Sequence, residues 1–416
     1  MARSALYQFS VTKSVIMAKS KGHKKTRREF LQVPLGDDAR ASTRRDAAAD
    51  QPADGLQPDD GPLMMHFARR AMASQFEIRF PWSGGGMSGG REHEAQLALE
   101  TLESLDGLEE QMSFFRPTSE ISRINLLAAE GPVEVEPELF QLISLAKDIW
   151  RETEGALDIT ATPLWQAWGF AGRSGTVPSE GHIAEALSRV GFQFVELDSR
   201  HNTIRFSRPG MQLNLGSIGK GYALDRCAAK LIDGRLRHFL LHGGQSSILA
   251  HGSDTGQDAE CLEKNGAGSE PQEIFHNNKE SCEGPVQVLS GFWTIGIPHP
   301  WKAGKRIAEI KLRNRAIGTS SSQFQSFRHK GKLYGHIIDP RTGRPAEGIL
   351  SATVVAQSSA LADALSTAFF VLGLEKSLAY TQAHPEIGSV LLTHCGRGGD
   401  VTIHRFGLDD GDFRVF

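Results

Sequence analysis

Three residues of this chain have types and spacing suited to chemistry, and they fall between Tyr334 and Thr367: His336, Asp363 and Thr367. Asp363 and Thr367 are four apart, so on a helix they put a carboxylate and a hydroxyl on one face, about one turn from each other. Hard oxygens at that spacing suit Mg²⁺, which takes one or two protein oxygens and leaves its other positions to water and phosphate oxygens. Taken alone, the same pair reads more commonly as a helix cap and a solvated face. A histidine on an apolar strand is likewise more often a hydrogen-bonded structural group than a catalyst. Two readings therefore stand for each residue at this point.

The surrounding pattern supplies elements to hold them. Gly335-His336-Ile337-Ile338 is a short β-favouring run, and Asp339 to Pro345 is dense in turn formers. Ser351 to Ala356 resumes extended structure, and Ser358 to Gly373 has helical periodicity, with Leu361, Leu365, Ala368 and Phe369 on one side. Upstream, Gln212 to Leu215 predicts a strand that gives way to a helix through Gly216, Gly219 and Gly221, with Lys220 among them. Such a junction exposes backbone N–H groups that can bind phosphate. It has neither Walker A nor Rossmann spacing, and close strand-to-helix packing accounts for the glycines equally well.

Composition narrows the class. The chain has 416 residues, 39% of them hydrophobic, which suffices for one large domain or two. A net charge of −3 gives no nucleic-acid signature. No apolar run reaches the roughly 18 residues that cross a bilayer. The four cysteines, Cys227, Cys261, Cys282 and Cys395, lack metal-site spacing, although Cys261 and Cys282 could pair in an oxidising compartment.

Along the chain, residues 1–62 are polar, basic and without period, which predicts disorder. Within them Thr26 to Gln32 has the form of a twin-arginine export signal after the basic run from Lys19 to Lys25. The apolar region that should follow is replaced by Val33 to Asp38, so an export signal and a basic tail both remain open. A single folded unit is expected over 63–416, with a polar surface insertion at about 253–285. Helices are expected at Arg91–Gln111, Pro137–Thr153 and 181–190, a hairpin at 194–206, and strands at Phe76–Phe80, Phe239–Leu241, Phe292–Ile297 and Ser389–Leu392. Pro163 to Phe170 is aromatic-rich, either a core wedge or a wall for a flat ligand. Strands and helices mix without a βαβ repeat, which makes the fold class α+β.

Seven motifs occur together: MSFFRPTSEISRIN (112–125), EGALDITATPLWQAWGF (154–170), LNLGSIGKGYALD (213–225), HGG (242–244), GTSSSQF (318–324), YGHIIDPRTGRP (334–345) and SATVVAQSSALADALSTAFFVLG (351–373). In this set and order the chain resembles the ApbE family of FAD:protein FMN transferases, over roughly residues 64 to 405. The resemblance implies mixed sheets and flanking helices around an FAD cleft. It implies Mg²⁺ held by the side chains of Asp363 and Thr367 and the backbone carbonyl of Ser217. FAD contacts fall on Met72, Phe115, Ala156, Leu157, Asp158, Lys220 and Ile338, and His336 matches the histidine required for transfer. Asp158 is expected to orient the cofactor, while Lys220 and the amides of Gly216 to Gly221 hold the diphosphate.

The implied reaction is attack of a Ser or Thr hydroxyl of an acceptor protein on the FMN phosphorus of FAD, with AMP leaving. The acceptor would be a flavoprotein subunit of a respiratory or electron-transfer complex, and the family implies a site outside the cytoplasm. Hydrolysis of FAD to FMN and AMP, and non-catalytic FAD binding, are the competing readings. Departures from the family pattern are Met72-Ala73-Ser74 for Met-Gly-Thr, Thr319-Ser320-Ser321-Ser322 for Thr-Ser-Gly-Asp, and the lack of a lipobox cysteine.

Overall fold

A nine-stranded antiparallel sheet carries the molecule, and its strands lie in space in the order in which they occur in the chain. They are Gln8–Thr12, Met64–Ala71, Ser74–Pro81, Phe239–Gly243, Ser247–His251, Arg315–Ser321, Ile349–Ala356, Gly388–Cys395 and Asp400–Phe406. The computed structural model describes residues 8–12, 63–82, 89–172, 174–256, 291–302, 304–321, 325–395 and 400–416. The twin-arginine-like stretch, Cys261, Cys282 and nearly all of the polar insertion lie outside the described residues.

Central strands read as apolar because both of their faces are covered. Every residue of Ile349–Ala356 is buried. One face meets the Ser359–Ala383 helix, whose Ala362, Leu365, Phe369 and Phe370 join the principal core. The other meets a three-stranded sheet of Trp293–Pro298, Arg306–Leu312 and Phe413–Val415, around Trp293, Ile295, Ile310 and Leu350. A third, smaller cluster of Leu164, Trp168, Phe170, Ile183 and Ile338 reaches a cleft through Ile338 and the adjoining Trp165. Mixed helices and antiparallel sheets make the fold α+β, as composition and periodicity predict.

Several elements differ from expectation for identifiable reasons. The helix predicted at Arg91–Gln111 is two helices, Gly89–Glu103 and Leu105–Met112, which meet at Ser104. There the Ser104 hydroxyl donates to the Thr101 carbonyl at 2.6 Å, a local bond that competes with the helical ladder. Gln8–Thr12, inside the segment predicted to be disordered, pairs antiparallel with Met64–Ala71; its Phe-Ser-Val alternation is the signal that net charge obscured. Residues 213–215 make no ladder. Instead the Asn125 side chain accepts from Leu213 N–H at 2.7 Å and donates to Leu213 C=O at 3.0 Å, so one amide side chain replaces a neighbouring strand.

Candidate active site

Two helices bring the predicted metal residues and the lysine together. Gly219–Asp233 and Ser359–Ala383 cross where Gly221 faces Ser359. A Cβ at Gly221 would overlap the Ser359 carbonyl oxygen, and a Cβ at Gly318 would overlap that of Ala362. Only glycine lets the helix pair and the Arg315–Ser321 strand approach so closely. That approach seats Asp363, 5% exposed, in the floor of the cleft.

Asp363 accepts from Gly221 N–H at 2.8 Å and from the Ser247 hydroxyl at 2.7 and 2.8 Å. Burial pushes its carboxyl up to about 6, while Lys220, Ser247 and Gly221 pull the other way. One turn on, the Thr367 hydroxyl lies 3.0 Å from Ser320 Oγ, which lies 2.9 Å from Ser366 Oγ. Asp363, Ser217, Ser320 and Thr367 all line one cleft of about 750 Å³, within the range of ligand sites. Their donor set is hard oxygen with a single carboxylate. Such a set fits Mg²⁺, which takes its remaining ligands from water and phosphate.

His336 stands on the same cleft, but not in a strand. It sits at a bend between the two-stranded hairpin Ser326–His329/Lys332–Gly335 and the two-residue ladder Ile338–Asp339/Arg344–Pro345. The β-favouring run is interrupted because the Gln325 carbonyl takes both histidine donors, the main-chain N–H at 3.1 Å and Nδ1–H at 3.0 Å. A carbonyl only accepts, so Nδ1 carries the proton and Nε2 is left as an acceptor. Burial lowers the imidazole pKa from 6.5; the Gln325 bond opposes that shift and the Lys220 charge adds to it. The ring is therefore neutral at pH 7. The predicted Asp339–Pro345 turn is present, held by Gly343 N–H to Asp339 C=O at 2.8 Å and by Trp168 Nε1–H to Gly343 C=O at 2.8 Å.

The predicted FAD contacts divide. Ala156, Leu157, Asp158, Lys220 and Ile338 line the cleft together with Trp165. Both Asp158 oxygens are engaged by the protein: Oδ1 accepts from Thr160 N–H and Oγ–H at 2.8 and 2.6 Å, and Oδ2 accepts from Phe192 N–H at 3.1 Å. Burial nevertheless pushes its carboxyl up to about 6. Asp158 thus organises the 156–160 turn that presents Ala156 and Leu157. Met72 and Phe115 are not among the lining residues. Phe115 is 70% exposed at the rim, edge-on to Trp165 at 6.5 Å. Met72 sits in the hairpin turn before Ser74, its N–H bonded to Glu109 at 3.0 Å. The Gly216–Gly221 amides differ from the expected phosphate cradle. Gly216 N–H is taken by Asn214 Oδ1, those of Ile218 and Gly219 by Leu215 C=O, and that of Gly221 by Asp363.

Ser247, Ser320 and Ser366 were not singled out by sequence reasoning. The available signal for Ser247 was Gly243-Gly244, whose second residue takes a positive φ of 72° and turns the chain back into the cleft.

The ApbE family model matches residues 72–391. The FAD:protein FMN transferase of Klebsiella pneumoniae (strain 342) is 28% identical over 305 residues, 72% of this chain and 83% of that protein. The Haemophilus influenzae protein of the same name is 30% identical over 276 residues, covering 64% and 70%. A crystal structure of the ApbE protein of Thermotoga maritima superposes with a TM-score of 0.66 at 26% identity, covering 82% of this chain and 97% of that one.

Proposed function

Because this chain belongs to the ApbE family, we propose that it transfers FMN from FAD to a Ser or Thr hydroxyl of an acceptor protein, releasing AMP. The observation that carries this reading is the cleft itself, where a histidine with a free Nε2, one lysine and an Asp/Thr pair converge on a space of ligand size.

Neutral His336 takes the acceptor hydroxyl proton at Nε2 as that oxygen bonds to the FMN phosphorus and the bond to the AMP phosphate breaks. Lys220 sets a positive charge beside the diphosphate. Asp363, Thr367 and the Ser217 carbonyl would hold Mg²⁺, which when bound neutralises phosphate charge and favours loss of AMP. Trp165 and Ile338 offer flat apolar wall to the ring system, with Phe115 at the rim. The acceptor belongs to the flavoprotein subunits of respiratory or electron-transfer complexes, and the reaction takes place outside the cytoplasm.

The test is an AMP-release assay with FAD and Mg²⁺, with and without an acceptor peptide, with Asp363→Ala as control. Acceptor-dependent AMP and an FMN mass on the peptide are expected. Equal AMP without acceptor would mean hydrolysis, and FAD bound without any AMP would mean a carrier.

A further inference from the structure

The two helices that build the metal site hold each other by their N-termini. The first turn of Gly219–Asp233 gives its Gly221 N–H to Asp363 of the long helix at 2.8 Å. The first turn of the long helix gives Ser359 N–H and Ala360 N–H to Asp225 of the shorter one, at 2.7 and 2.9 Å, and the Ser358 hydroxyl donates to Asp225 at 3.1 Å. Each helix thus has donors of its first turn satisfied by an aspartate of its neighbour, where ordinarily a residue of its own chain start would do so. Ser358 still caps its own helix, accepting from Leu361 N–H at 3.1 Å. Asp225 is therefore additional to the local cap.

We propose that Asp225 is a positioning residue for the metal site, fixing the axial rotation and height of the long helix so that Asp363 and Thr367 face Ser217. The inference rests on the metal reading above. Its basis is geometric. Asp225 grips three donors at 358–360, one turn ahead of Asp363, while Asp363 grips Gly221, one turn ahead of Asp225. The contact between Gly221 and Ser359 lies between these two grips, so neither helix can slide or turn without breaking one of them. Asp225 does not line the cleft, so its effect on the site passes through Asp363 and Thr367.

Three variants of the full chain test this: Asp225→Asn, Asp225→Glu and Ser358→Ala. Mn²⁺ is the probe, its affinity measured by paramagnetic titration in the presence of FAD, alongside amide exchange of residues 359–361 in metal-free protein. The parent binds Mn²⁺. Asp225→Asn is expected to weaken binding at least tenfold and speed exchange at 359 and 360, while FAD affinity in chelator stays within twofold. Asp225→Glu keeps the charge but not the reach, so it should be impaired as Asn is; full recovery of Mn²⁺ affinity by Glu would make the role one of charge alone and overturn the proposal. Ser358→Ala removes one of three donors and should give a smaller shift in the same direction, which decides the matter if Asp225→Asn does not fold. Variants binding Mn²⁺ as tightly as the parent would overturn the positioning role only, whereas a parent that binds none would overturn the metal reading with it.

Discussion

The Gln325 carbonyl accepts both the main-chain N–H and the Nδ1–H of His336, at 3.1 and 3.0 Å. One acceptor thereby closes the base of the 326–335 hairpin and selects the histidine tautomer. Nε2 is fixed as the basic nitrogen without any carboxylate behind it.

That arrangement sets the pH dependence of the reaction. In the proposed transfer His336 is the neutral base, so activity should appear as pH rises through its folded pKa, which burial and Lys220 hold below 6.5. The acidic limb of kcat/KM is expected below pH 6.5. In Lys220→Gln the remaining activity should show that limb displaced upward, because the neighbouring charge that lowers the pKa is gone. A limb at or above 6.5 in the parent would count against His336 as the base.

Gly221→Ala should be among the most damaging small substitutions in the chain. Its methyl group meets a main-chain oxygen of the other helix rather than a flexible side chain, so the helices must part. Overpacking of this kind costs about 1–3 kcal/mol or more. Urea unfolding should show a loss at the upper end of that range, and transfer activity should fall further than stability does.

Ala73→Gly should stabilise the protein. Met72 and Ala73 turn the Met64–Ala71/Ser74–Pro81 hairpin with φ of 49° and 57°, the left-handed region that two-residue hairpin turns require. Releasing Ala73 from it returns about 1–2 kcal/mol, offset by about 0.4–1 kcal/mol of extra freedom in the unfolded chain. A net gain of roughly 0.5–1 kcal/mol should appear as a higher urea midpoint at unchanged slope. An unchanged or lower midpoint would refute it.

His242 predicts an acid-sensitive fold. It pairs across the sheet with Glu77, and its Nε2 has no hydrogen-bond partner among the described residues. Burial, with help from Arg79, pushes its pKa from 6.5 down to about 4. Between those values the unfolded chain binds the extra proton and the folded one does not, so stability falls as pH drops through that window. The effect is at most ~3 kcal/mol. Melting temperatures of His242→Gln should fall less steeply than the parent's between pH 6.5 and 4; parallel slopes would remove His242 from the account.

Periodicity and motif order made much of this legible. The apolar run at 351–356, the helix after Ser358 and the turn at 339–345 all follow from local patterns, and Asp363 and Thr367 fall on one helical face as four-residue spacing requires. What stayed hidden depends on partners far away in sequence. Asp225 reads as an ordinary helical acid until Ser359 is found beside it, and nothing in Gly221 reveals that a second helix touches it. The glycines of 216–221 suggested a phosphate cradle, yet most of their N–H groups are spent within the protein. The segment Gln212–Leu215, read from its sequence as a strand, likewise hid that Asn125, 88 positions before Leu213, does the work of a ladder.

The sequential order of the nine strands bears on how such a chain can diversify. Ser74–Pro81 and Phe239–Gly243 are hydrogen-bonded neighbours, as are Ser247–His251 and Arg315–Ser321. The long segments between them leave and re-enter the sheet through adjacent strands, so their ends are pinned one strand spacing, about 4.8 Å, apart. Lengthening such a segment adds little closure entropy, since each doubling costs only about 0.6 kcal/mol. The sheet thus works as a socket: recombination could exchange the 252–314 segment, which supplies none of the cleft-lining residues, and leave Asp363, Thr367 and Lys220 where they are.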